Sequence, residues 1–122
     1  MRRVVLGSLL AVTVAAAPAF AQQHFSGRDN SGRDPGGSSR CPTYGMNMNL
    51  TVNGTAINAT FLQDGRTERN FTATAKPDGS FVSTAIVGGG NKMRVTGKVM
   101  PGEVTVKLDG YCIFEFKLTP KS

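Results

Sequence analysis

Histidine is almost missing from this sequence: the single one, His24, lies outside the region that reads as folded. Its absence there removes Ser–His and Cys–His nucleophilic pairs and, with two cysteines in all, the usual zinc ligand sets. No G-x-S-x-G elbow occurs, there is no tryptophan, and no stretch beyond the first twenty-one residues has helical periodicity. Acidic residues are few, 8 against 14 Lys and Arg. Among those past residue 40, Asp64, Asp78 and Asp109 each precede a glycine in a turn, where aspartate has a conformational role. Glu103 and Glu115 fall on adjoining strands and are the one couple that a glycosidase arrangement could use. Strand alternation turns both toward solvent. The chain is therefore read as non-enzymatic, with no metal and no cofactor.

What is present begins with a leader. Arg2 and Arg3 precede an apolar stretch from Val4 to Ala17, then Pro18 and Ala19-Phe20-Ala21. A positive start, an apolar middle and an A-x-A cleavage site make residues 1–21 a signal peptide, cut after Ala21. The apolar run is shorter than the roughly 20 residues a spanning helix needs. The protein is expected to be exported, to the periplasm or outside the cell. Removing Arg2 and Arg3 lowers the formal charge of +6 by two, so what remains is mildly basic. Cys41 and Cys112, an even pair in an exported chain, read as a disulfide.

Residues 22–40 are Gly, Ser, Asp, Arg and Asn with a single sizeable apolar residue, Phe25. By composition this is a disordered tail. It holds a short repeat, Ser26-Gly27-Arg28-Asp29 and Ser31-Gly32-Arg33-Asp34, read as spacer.

Residues 41–122 form the folded domain. Met46, Met48, Leu50 and Val52 alternate with polar residues; so do Ile57, Ala59 and Phe61; Phe71, Ala73 and Ala75; Met93, Val95 and Val99; Val104, Val106 and Leu108; and Cys112, Phe114, Phe116 and Leu118. Period two marks half-buried strands. Ser80 to Val87 is β-branched and apolar without a clear inward face. Turn signals separate the runs: Asn53-Gly54, Asp64-Gly65, Pro77-Asp78-Gly79, Gly88-Gly89-Gly90-Asn91, Pro101-Gly102 and Asp109-Gly110. The expectation is an all-β domain of about seven antiparallel strands in a meander, forming a small barrel or sandwich. A bridge from Cys41 to Cys112 joins the starts of the first and last of these strands. Closing a barrel of seven would need a parallel contact between them, or an eighth strand.

Two functions from different classes follow. Lys92, Arg94, Lys98, Lys107 and Lys117 fall on the outward faces of the last three strands and would form a basic face for an anionic polymer of the cell envelope. Sparse aromatics on that face argue against nucleic acid. The alternative is a carrier of a small molecule or lipid in a cavity within the β domain. The Gly88–Asn91 turn has no helix after it to make a phosphate cradle. The N-x-T triplets at Asn49, Asn53, Asn58 and Asn70 read as outward surface pattern.

Overall fold

In a computed structural model the chain is described over residues 22–37 and 41–121; the signal-peptide reading of residues 1–21 lies outside the described residues, as do residues 38–40 of the tail. Eight strands run in sequence: β1 (Gln23–Asp29), β2 (Met46–Asn53), β3 (Ala56–Gln63), β4 (Arg69–Thr74), β5 (Ser80–Ile86), β6 (Lys92–Met100), β7 (Glu103–Asp109) and β8 (Ile113–Pro120). All pairings are antiparallel, in the order β4-β3-β2-β1-β8-β7-β6-β5. The sheet curls into a nearly closed barrel, so the barrel alternative holds and the sandwich does not. Its two edges, β4 and β5, meet without a ladder. The Ser83 hydroxyl donates to the Thr72 carbonyl across that seam, and the Phe71 and Phe81 rings stack beneath it, 6.3 Å between centroids and 20° apart in plane.

The inward faces follow the alternation in the sequence. Met46, Met48, Leu50 and Val52 of β2, Ile57, Ala59 and Phe61 of β3, and Phe114, Phe116 and Leu118 of β8 are all buried. The ambiguous strand β5 points Phe81 and Ala85 inward and leaves Val82 and Ile86 exposed. Cys41 and Cys112 are bonded, with Cα atoms 5.6 Å apart. The asparagines of the four triplets are all exposed.

The eighth strand comes from the supposed tail. Residues 23–29 are not disordered: they pair along their whole length with β2, from Gln23 opposite Val52 to Asp29 opposite Met46, and with β8 at Phe25 and Ser26. Phe25, at 2 % exposure, is part of the core. Composition misled here because a ladder is made by the backbone, and one buried aromatic with a few specific contacts is enough to place it.

The repeat supplies those contacts, and each copy performs the same three tasks. Its glycine permits close approach. A Cβ on Gly27 would stand 2.8 Å from Leu118 Cδ2, and one on Gly32 would stand 2.7 Å from the Phe114 ring and 2.8 Å from the Cys41 carbonyl. Its arginine reaches a carboxylate on the barrel: Arg28 to Asp64 at 2.5 Å, Arg33 to Glu115 at 2.9 Å. Its aspartate closes an Asx turn, accepting the N–H two residues on: Ser31 for Asp29 at 2.8 Å, Gly36 for Asp34 at 2.7 Å. The second copy also makes a two-way backbone bridge, Arg33 N–H to the Ile113 carbonyl at 3.0 Å and Ile113 N–H to Arg33 at 2.7 Å. That bridge covers Ile113, which alternation alone places toward solvent; it is buried.

Asp29 is 6 % exposed and completes the β1–β8 seam where the ladder stops. Its Oδ2 accepts the Glu115 N–H at 2.8 Å, and its Oδ1 accepts both the N–H and the hydroxyl of Ser31. Burial pushes the carboxyl toward its neutral form, but the Ser31 hydroxyl and the backbone donors of Ser31 and Glu115 outweigh it, and the pKa lies below the ordinary value. A depressed folded-state pKa contributes stability above the unfolded value of about 3.9, lost as pH falls through the folded value. Asp29→Asn turns an amide N–H toward the Glu115 donor, leaving it without an acceptor. It should cost about 2 kcal/mol at neutral pH. Urea midpoints of variant and wild type should converge as pH drops below about 4; a gap that persists into acid would show that the charge of Asp29 contributes nothing.

Candidate functional site

The basic strand face forms, but it is not uniformly basic. Lys92, Arg94 and Lys98 are exposed on β6, Lys107 is half-buried on β7 and Lys117 is exposed on β8. Register sets Arg94 opposite Asp109 and Lys107 opposite Glu115. Lys117 reaches Glu103 at 3.7 Å, while Glu115 takes Arg33. Three carboxylates thus stand among the five cations. The same pairs separate Glu103 from Glu115, each held on the outer surface by its own cation. Among the described residues no group of three or more His, Cys, Asp and Glu is placed to hold a metal ion.

A second site lies at one end of the barrel. In an up-and-down sheet, the connections after odd-numbered strands share one end. Here these are the β1–β2 segment with Cys41 and Tyr44, the β3–β4 loop with Arg66, the β5–β6 turn at Gly88–Gly90, and the β7–β8 turn with Tyr111 and Cys112. Between them opens a cleft of about 410 Å³, within the range of about 300–1,000 Å³ usual for small-ligand pockets. Its walls are the mouth-end inward residues Met46, Phe61, Met93 and Phe114. Below them the barrel is filled by side chains such as Leu50, Phe81 and Val106, so the hollow belongs to the mouth and does not run through the interior.

The mouth also carries charge. Arg69 opens β4 two residues before the buried Phe71 and opposite Phe61, which is an inward-facing position. It is half-buried, and its guanidinium lies beside Gly88 of the facing turn. Arg66 stands on the adjacent loop. Neither arginine has an ion-pair partner among the described residues. The nearby Arg28–Asp64 pair, by contrast, is satisfied: the Arg28 hydrogen bonds hold the Asp64 carboxyl below its usual pKa and tie the β3–β4 loop to β1. Tyr44 is half-buried in the cleft and Tyr111, 69 % exposed, stands at its rim.

None of Tyr44, Arg66, Arg69 and Tyr111 stands out in the sequence as a site. The signal available was geometric: the alternation through Ala75, Ala73 and Phe71 extends by two to Arg69, placing a cation on the inward face. Comparison with known protein families, with curated proteins and with solved structures found no match for this chain.

Proposed function

We propose that the protein is a non-enzymatic, exported binding module that holds a small molecule in the mouth of its barrel. The observation that carries this reading is the 410 Å³ cleft with apolar walls at one end of an otherwise filled barrel. The disulfide supports it, since Cys112 lines the cleft and the bond fixes two of the four mouth connections to each other. The basic strand face is the weaker candidate: a polyanion laid along it would meet Asp109, Glu115 and Glu103 between the lysines.

A neutral apolar fluorophore, phenylnaphthylamine, tests the mouth without reference to charge. It should brighten on binding, at one dye per chain. Met93→Trp, which fills the cleft from its wall, should abolish that signal while leaving the circular dichroism of the sheet in place. Undiminished binding to the filled variant would place the dye elsewhere and remove the mouth as the site.

A further inference from the structure

We infer that the mouth selects an amphipathic anion: a single carboxylate, sulfate or phosphate head on an unbranched aliphatic tail of limited length. This rests on the mouth being a ligand site and adds what the ligand is. The head is assigned by Arg69 and Arg66. Arg69 leaves an inward-facing position of β4, lines the cleft half-buried beside Gly88, and meets no carboxylate among the described residues, so an anion in the cleft would complete its guanidinium. Its planar set of donors suits a carboxylate or phosphate held through two parallel hydrogen bonds. Two such groups on one rim, beside the Tyr44 and Tyr111 rings, place the anion at the entrance, where it stays partly hydrated.

The tail is assigned by the walls. Met46 and Met93 are unbranched, polarisable side chains that adapt to an aliphatic chain, and Phe61 and Phe114 complete the apolar lining. The same packing sets a limit. Leu50, Phe81 and Val106, further along the strands from the mouth, are buried in the packed core and line no part of the cleft, so a tail gains contact for each methylene only until it meets that packing. The occupant is a free monomer and not a bilayer, because the apolar surface is recessed inside the mouth and the rim around it is polar.

The test is competition against phenylnaphthylamine by straight-chain carboxylates of increasing length, each kept below its micellar concentration, with the corresponding alcohols alongside and vesicles of anionic phospholipid as a separate arm. Carboxylate affinity should rise about fourfold per methylene, the burial of one CH₂, and then level off. At equal length the carboxylate should bind at least about tenfold tighter than the alcohol. Arg69→Gln should erase that difference, with Arg66→Gln giving a smaller loss, each read as the ratio of carboxylate to alcohol affinity in the same variant, so that any change in dye binding cancels. If alcohols compete as well as carboxylates, or Arg69→Gln leaves the ratio unchanged, the anionic head is wrong although the mouth still binds. A steady rise in affinity with no plateau would overturn the limit on tail length. Co-sedimentation with vesicles in the absence of monomer binding would overturn the proposal in favour of a membrane surface. Failure of the dye to bind at all would instead count against the mouth as a site.

Discussion

A chain lacking residues 22–37 is expected not to fold. Strand β1 lies between β2 and β8, so its removal opens two strand edges at once and withdraws Phe25, the Asp29 acceptors and both repeat arginines from the barrel. Open edges of this kind also invite pairing between chains. A domain of this size has about 5–15 kcal/mol of stability in total, and burying a phenylalanine typically contributes about 3–5 kcal/mol of it against truncation to alanine. Phe25→Ala alone should therefore lower the melting temperature by at least about 12 °C, and the deletion should leave a chain with no cooperative melt. Circular dichroism melts of the full form, the point variant and the truncation would decide this. A truncated chain melting within a few degrees of the full form would show that β1 is not part of the cooperative unit.

Replacing Cys41 and Cys112 by serine is the second large effect expected. The two cysteines are 71 residues apart, and the chain-entropy model for a loop of that length gives about 4 kcal/mol of stabilisation, from the restriction of the unfolded chain. The guanidinium midpoint should fall as that free energy implies, with a slope equal to or steeper than wild type, because the native barrel is the same while the unfolded chain, freed of its cross-link, exposes more surface. A midpoint within experimental scatter of wild type would mean that the unfolded chain is already compact around these positions. The two perturbations should not be additive: the bond ties together the starts of β2 and β8, the strands that flank β1, so loss of either constraint changes what the other contributes.

Much of this fold could be read from alternation. All of β2 to β8 except β5 coincide with the period-two runs, because each carries at least two apolar residues on its inward side; β5 is legible from its β-branched composition, and β2 to β7 are each followed by a glycine-containing turn. Strand β1 could not be read that way. Its inward side is Phe25, Gly27 and Asp29: one apolar residue, one position that must be small, and one carboxylate whose burial depends on donors from Ser31 and Glu115. None of that is hydrophobicity. Closure held the missing clue, since a meander whose first and last strands pair antiparallel needs an even number of strands, and the runs number seven. Ile113 failed for a related reason, covered by Arg33 from a segment whose position only the fold provides. The basic face was legible as a row of outward cations, while the carboxylates between them depended on register. At the mouth, Arg69 obeys the same alternation as Phe71, but a cation on an inward face reads as an interruption of the pattern until the end of a barrel is found beneath it.

The pairing of β1 with β8 also sets an order in time. The hairpins β2–β3, β3–β4, β5–β6, β6–β7 and β7–β8 join neighbours in sequence and can form early, each closing a short loop. Strand β1 can settle against β2 as soon as both exist, but its second partner is the last strand of the barrel to be synthesised. Bringing them together closes nearly the whole length of the folded region, and the entropy of that long closure must be met before its contacts give anything back. Folding should therefore end with this one slow step, on the scale of milliseconds to seconds common to sheets dominated by distant contacts. Until then the barrel stands open along β1 and β8, the mouth arginines have no fixed rim to stand on, and the cleft itself should take shape abruptly, together with closure.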